Sequence, residues 1–405
     1  MTGTAPATEN LWSADMSSGN PTAQTRPNSG PARYFWGLDL VRFGSALMVV
    51  LFHFVAFGGD APLWPAEPGD APFSWLAPIA WMGWVGVQIF FVLSGFVIAA
   101  SARGSNAGTF LRKRAIRLLP ALWIAATIAL IARLLWGEPL QLLLPAFLKT
   151  LVLSPKGPYI DGVVWTLVVE AAFYLGTTAA ILVAPWFGGT QRTLRTYALL
   201  LAGASAAFTV VFWASLGASQ TLAASGLADR LSSFMFDVSL LRHGVFFALG
   251  MLMYEAVQAG AERRDAALMI GISLICMLQI GNQVPDDRTA LAPVMIWASA
   301  AALIFFGAKY GDRLIKTDVR HIMRPIGLMT YPLYLNHFIL GQSLLPVFGW
   351  WISNSAVLAA VLLAVLLANA WIMAQYPERM IQSRLKKVML KDKPPRPLQD
   401  AKAVG

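Results

Sequence analysis

The chain has a single cysteine, Cys276, among its 405 residues. An intrachain disulfide, a thiolate cluster and a multi-cysteine metal site are therefore excluded. Charge is also scarce. Asp, Glu, Lys and Arg make up 13% of the sequence, against about 25% in an ordinary soluble domain. No GxxxxGK[ST] loop is present, so ATP is not expected to supply energy. No HExxH and no carboxylate-rich loop is present, so metal-assisted hydrolysis and a bound metal are not expected. GxGxxG is missing too, and with it the case for a dinucleotide domain. The first 33 residues contain no apolar stretch of signal-peptide type. They are rich in Pro, Ser, Thr, Asn and Gly and read as a disordered cytoplasmic tail.

What the chain does have is apolar sequence. Hydrophobic residues account for 57% of it, and the mean hydropathy is +0.59. The reading is all-α: a polytopic membrane helix bundle of about ten spans, each about 20 residues long. Apolar runs of that kind lie near 38–57, 79–100, 118–136, 163–185, 196–218, 240–258, 266–281, 291–308, 329–347 and 355–376. A run at 141–153 is too short to cross and carries Pro145, so it reads as re-entrant or interfacial. The membrane domain is expected over 34–385, followed by a basic cytoplasmic tail, 386–405.

The net charge of +10 is read as a membrane signature with no nucleic-acid partner. With the N-terminus inside, the inner loops collect Arg103, Arg112, Lys113, Arg114 and Arg117, then Arg192 and Arg195, then Arg263 and Arg264. The loop before the ninth span and the C-terminal tail hold most of the remaining cations. The first outer loop, 58–78, has Asp60, Glu67 and Asp70 and no Lys or Arg. This asymmetry puts both termini in the cytoplasm.

Within the spans a few polar residues stand out. Arg42 and His53 are eleven residues apart in GLDLVRFGSALMVVLFHF. On a helix that spacing puts both on one face, about 16 Å apart along the axis. Ionisable groups at such depth face a partner or a cavity, and functional use is the default hypothesis. Glu170, in a span running the other way, is expected at a depth similar to that of His53. There it would orient the imidazole as a general base, or form a buried polar pair that only joins two helices. Arg114 and Arg117 share a helix face in FLRKRAIRLLPALW. They read as a phosphate clamp that Arg42 could complete, while Arg112 and Lys113 read as snorkelling anchors. Ser94, in LSGF, is read as a helix-packing residue. His337, in TYPLYLNHF, is read first as a structural histidine and otherwise as a second polar group in the cavity.

Together these segments resemble the integral-membrane acyltransferase-3 family, whose members include acylases of O-antigen, exopolysaccharide, nodulation factors and macrolides. The resemblance rests on the Arg42–His53 spacing, GVQIFFVLSGFVI, the Arg114–Arg117 pair, WTLVVEAAFY with Trp165, Glu170 and Tyr174, and TYPLYLNHF with Tyr334 and His337. It covers about 34–385. Gln88 replaces a common acidic residue, Thr330 a usual Ser, and Glu378 in YPERM only approximates a late Glu-x-Pro.

The resemblance implies a stand-alone O-acyltransferase of the inner (plasma) membrane. It would move an acyl group, with acetyl from acetyl-CoA as the family norm, from acyl-CoA to a hydroxyl of a carbohydrate or glycosylated acceptor. Arg42, Arg114 and Arg117 would hold the CoA phosphates. His53 would act as base or as an acyl-carrying nucleophile, with Glu170 behind it, and Trp165, Tyr174, Tyr334 and His337 become candidates for the substrate cavity. Two competing readings are a transporter or flippase for a polar or lipid-linked substrate, and a membrane scaffold with a dead site.

Overall fold

The structure is a computed structural model and describes residues 35–56, 72–217, 222–260, 262–285, 287–314 and 319–390. The N-terminal tail, most of the first acidic loop and the end of the basic tail lie outside the described residues. Among the described residues there is no strand. The chain winds through α1 (Trp36–Ala56), α2 (Ala77–Ala80), α3 (Val85–Ala102), α4 (Ala107–Leu135), α5 (Leu140–Leu151) and α6 (Trp165–Val183). It continues through α7 (Thr190–Gly217), α8 (Leu222–Leu231), α9 (Phe234–Asp237), α10 (Leu240–Ala259) and α11 (Arg263–Gly281). Then come α12 (Leu291–Leu314), α13 (Arg320–Gly349), α14 (Ser355–Gln375) and α15 (Pro377–Met389). In hydrocarbon every backbone N–H and C=O must find its partner within the protein, which is why apolar runs of this length become helices.

Nine helices among the described residues are long and apolar enough to cross a membrane. The tenth run expected from the sequence, 329–347, lies inside α13. That helix has 30 residues, three of them internal prolines, and it is not among the nine. Its Asn336, His337, Gln342 and Ser343 are buried, and this polar content lowers its hydropathy. α13 therefore carries a buried polar stretch into the bundle. α5 is a 12-residue apolar helix, in keeping with a segment too short to span.

α3 and α10 form the centre. Both are buried along most of their length, as expected of helices that are apolar all round. They approach closely through two glycines. A Cβ on Gly95 would overlap the backbone of Phe247, and one on Gly250 would overlap that of Val92. Packing of small residues and close backbone approach substitute here for a hydrophobic driving force, which lipid does not supply between helices. A second apolar cluster joins α1, α13 and α14 around Phe54, Leu333 and Leu362. α4 and α6 belong to the first cluster, through Leu122 and Phe173 among others.

Polar ties define the two ends. Arg103 donates to Gln191, Arg195 pairs with Glu255 and Asp265, and Arg117 pairs with Glu378. These contacts gather the basic helix termini at one end, called here the basic end. α4 begins there, capped by Asn106, whose side chain accepts from Thr109 N at 2.8 Å. The cap explains why FLRKRAIR is helical from its first residue and continues into the span. At the opposite end Arg133 binds both carboxylate oxygens of Glu138 and the Ile160 carbonyl.

The glycine contacts carry a prediction. Gly95→Val or Gly250→Val should destabilise the bundle by about 1–3 kcal/mol or prevent its assembly. Gly271→Ala, with open space around its Cα, should leave the melting temperature in detergent almost unchanged. Equal melting of all three variants would contradict this packing.

Candidate active site

The chemistry-bearing residues separate into two groups along α13. The first surrounds His53. Its Nδ1 lies 2.8 Å from Nε2 of His337 and 3.1 Å from the Val49 carbonyl. Nδ1 of His337 lies 2.7 Å from the Tyr334 carbonyl. A carbonyl can only accept, so His337 carries its proton on Nδ1 and presents Nε2 as a lone pair. His53 must then donate from Nδ1, and its Nε2 is left as an unprotonated acceptor. The order Tyr334 C=O, His337, His53 thus sets both tautomers. Phe338 packs 4.9 Å from the His53 ring and Phe52 5.2 Å from it. Tyr334 turns its ring toward His337 and its hydroxyl toward Thr166, 2.9 Å away.

The second group lies toward the basic end. Arg42 pairs with Asp39 at 2.8 Å, one helical turn earlier. Arg117 pairs with the buried Glu378 of α15 at 3.0 Å and lies over the Tyr331 ring. The carboxylate that faces the arginines from inside the bundle is Glu170. Its Oε1 accepts from Ser94 at 2.9 Å and from Tyr174 at 2.6 Å. Arg42 has Glu170, Tyr174 and Arg117 as electrostatic neighbours, and Tyr174 in turn has Arg114. Arg42, Arg114, Arg117, Glu170 and Tyr174 therefore share one polar region, with Tyr331 on its α13 side.

The hydrogen bonds differ from the expected ones at two residues. The partner of His53 is His337, and among the described residues Glu170 makes no hydrogen bond to it. The reason is depth: Thr166, in the first turn of α6, is already level with Tyr334. Glu170 lies about 6 Å further toward the basic end at 1.5 Å per residue. His337 holds the hydrogen bond that sets the tautomer of His53. Trp165 falls in neither group. It packs at 5.5 Å from His243. Ser94 ties α3 to α6, in keeping with a packing role.

Sequence reasoning misses Asp39, whose i,i+3 spacing to Arg42 is a readable signal, and treats Glu378 only as a departure from a motif. It also misses Asp161. This buried carboxylate precedes α6 and accepts from Val163 N at 3.1 Å and from Ile339 N at 3.2 Å. It thereby anchors α13 two residues beyond His337. No local pattern in the sequence signals that long-range bond.

Beyond Arg117 the basic end opens into a cleft of about 1630 Å³, including its open mouth. Arg324, Arg379 and Lys386 line it together with Arg117 and Glu378. The cleft and the arginine group thus adjoin each other, and α13 leads from them to the histidines. Tyr331 and His337 are about 9 Å apart along its axis.

Comparison with known proteins bears on what this layout serves. A family model described as an acyltransferase domain, that of the acyltransferase-3 family, matches residues 35–374. The chain belongs to this family. It is similar to Acyltransferase MdmB of Streptomyces mycarofaciens, 26% identical over 315 residues, which is 72% of this chain and 78% of that relative. It is also similar to Nodulation protein 10 of Rhizobium leguminosarum bv. viciae, 32% identical over 143 residues, or 30% of this chain and 37% of that relative. No solved structure matches. The protein is accordingly a multi-pass membrane acyltransferase, and the readings without chemistry give way to an enzyme.

Asp161 generates a pH prediction. Burial pushes its carboxyl up to about 6 from an ordinary 3.8, against the opposing pull of the two backbone N–H groups and Arg133. With the folded value above the unfolded one, the native state holds this proton where the unfolded chain has released it. Its contribution to stability is then full below about pH 4 and is lost as pH rises through about 6. The melting temperature of the wild type relative to Asp161→Asn should fall across that window and level off above it. A pH-independent difference would contradict the assignment.

Proposed function

We propose that the protein transfers an acyl group, acetyl in the first instance, from acyl-CoA to a hydroxyl of a carbohydrate or glycosylated acceptor, with His53 as general base. The observation that carries the reading is the His53–His337–Tyr334 chain. It leaves Nε2 of His53 unprotonated, which is the state a base needs before it meets a hydroxyl. In the transfer, the acceptor oxygen attacks the thioester carbonyl while Nε2 of His53 takes its proton. The tetrahedral adduct then expels the CoA sulfur, and the proton on Nε2 leaves with the thiol. His337 acts as the positioning residue. It accepts from Nδ1 of His53 throughout and steadies the imidazolium formed in between.

A neutral imidazole does this less strongly than a carboxylate would. The resulting base is mild, which suits a thioester, an acyl donor that is already activated. Water competes with the acceptor for such a donor, and the Phe52 and Phe338 rings beside His53 help to exclude it.

The basic end supports the donor side. The cleft lined by Arg117, Arg324, Arg379 and Lys386 offers cations to the CoA phosphates, and Arg42 and Arg114 lie further in. Asp39 and Glu378 do not exhaust the arginines, because each guanidinium has five N–H donors and Asp39 and Glu378 each bind one terminal nitrogen. Nε of Arg114 is buried without a partner among the described residues. The thioester arm would then run along α13 to His53. In this reading the basic end faces the cytoplasm, and the protein sits in the plasma membrane.

Purified protein should consume acetyl-CoA in the presence of a hydroxyl acceptor. His53→Ala should cut that rate by about 10²- to 10⁴-fold while still inserting and folding, and His337→Ala should lower kcat with a smaller effect on the KM for acetyl-CoA. Full transfer activity in folded His53→Ala would sink the proposed role. Arg324→Ala combined with Arg379→Ala should raise the KM for acetyl-CoA about tenfold or more, the scale expected for lost charge-assisted bonds, and unchanged KM would remove the cleft from the donor path.

A further inference from the structure

The last helix carries a surface that the acyl-transfer reading does not use. α15 follows α14 directly, and its first turn is tied down at the basic end. Glu378 accepts there from Arg117 of α4 at 3.0 Å and from Gln382 at 2.7 Å. Ile381, Leu385 and Met389 follow Glu378 at helical spacing and are partly covered. One face of α15 is therefore fixed to the bundle, and the outlook of its other faces is fixed with it.

The uncovered part divides in two. Arg379, Ser383 and Lys386 line the cleft. Tyr376, Met380, Arg384 and Val388, each four residues from the last, form a separate stripe. At about 100° per residue its helical members lie about 130° further round the helix than the cleft residues. All four are exposed, as is Lys387 beside them. Neither Arg384 nor Lys387 lines the cleft, and neither pairs with a carboxylate among the described residues. The stripe thus sets two unpaired cations among apolar side chains.

Its surroundings indicate what covers it. Tyr376 packs edge-on against Trp371 of α14, with ring centroids 6.4 Å apart. Trp371 and Ile372 are exposed on a helix that is long and apolar enough to cross the membrane, and there exposure means contact with lipid. Trp186, where α6 reaches the basic end, is exposed as well. Trp and Tyr favour the level at which acyl chains give way to headgroups, so α15 starts at that level. The stripe continues the lipid-facing side of α14. An acidic macromolecule in solution would match its cations but not that continuity. The chain's own next segment brings Lys391, Lys393 and Arg396, which the stripe's cations repel. A basic amphipathic helix directly after a span suits a lipid surface, and its cations gain there where the headgroups are anionic.

We propose that the Met380–Arg384–Val388 stripe of α15, with Lys387, docks on anionic phospholipid headgroups at the basic end. Met380 and Val388 enter the interface, and Arg384 and Lys387 meet the phosphates. This holds whichever group the protein transfers, so it stands or falls apart from the acyl-transfer reading.

The test uses the full chain in lipid nanodiscs. Cys276 is buried, so Met380→Cys and Val388→Cys each offer a single site for a polarity-sensitive fluorophore. Both labels should shift to the blue when phosphatidylglycerol replaces part of the phosphatidylcholine. The shift should shrink in about 0.5 M salt, which screens exposed charges. With the label at Val388, Arg384→Gln and Lys387→Gln should each lower the docked-to-free ratio about fivefold, the scale of one cation near an anionic surface. Arg264→Gln removes an exposed cation at the same end on α11 and should leave the ratio unchanged. Equal emission in the two lipids would overturn the proposal, because the surface would then read no charge. A shift at Met380 without one at Val388 would do the same, since α15 would leave the surface after its first turns. Inorganic phosphate reproducing the shift in pure phosphatidylcholine would assign the stripe to small anions, and an equal loss in Arg264→Gln would reduce the effect to overall charge; either result removes the docking surface.

Discussion

The carbonyl of Tyr334 is the smallest group on which the arrangement depends. It accepts from Nδ1 of His337, and from that one bond both imidazole tautomers follow. Had His337 faced a donor instead, its Nε2 would carry the proton, His53 would accept at Nδ1, and no lone pair would remain at Nε2. A backbone carbonyl cannot ionise or turn away, so the order holds wherever α13 keeps its shape. That shape is fixed on both sides of the histidine. Asp161 holds Ile339 N, and Tyr331 bonds to the carbonyl of Leu118 on α4.

α13 also explains why the sequence was legible in some places and not in others. Helix positions are written in local apolar runs, and the spans around α6, α10 and α14 could be read to within a few residues. The Arg42–His53 spacing is likewise a property of one helix. The partner of His53 lies on a helix 284 residues away in sequence, and depth in a bundle depends on how helices are shifted along one another. A shift of one turn, which no run of apolar residues records, moved Glu170 from the histidine to the arginines. His337 stood out only as a polar residue in a span. Its segment is held by the cross-helix bond of Asp161 to Ile339 N, which has no local signature.

The ends of the bundle were easier to read than its middle because charge is a coarse signal. Cations clustered at one set of termini can be counted, and their ties through Arg103, Arg195 and Arg117 only refine that picture. Glu378 shows the limit of motif reading. Its neighbours in YPERM fit a family pattern poorly, yet its buried carboxylate accepts from Arg117 and from Gln382 and so ties α15 to α4. What mattered was a carboxylate within reach of the arginine, and reach is set by the fold.

The placement of Glu170 makes physical sense once it is detached from His53. Arg42 and Arg117 bring two like charges into one partly dehydrated region, and Asp39 and Glu378 pair with one each. Glu170 adds a further carboxylate near Arg42, and Tyr174 and Ser94 occupy its Oε1 so that it stays where it is. A carboxylate bonded directly to His53 would instead have raised its basicity and stabilised its charged form, a pull that the neutral ring of His337 does not exert. The acid thus stands one turn away, on Ser94 and Tyr174, and a neutral imidazole takes its place beside His53. In the proposed reaction this division would leave the basic end cationic for the phosphates of the donor and the nitrogen of His53 free of a charged neighbour.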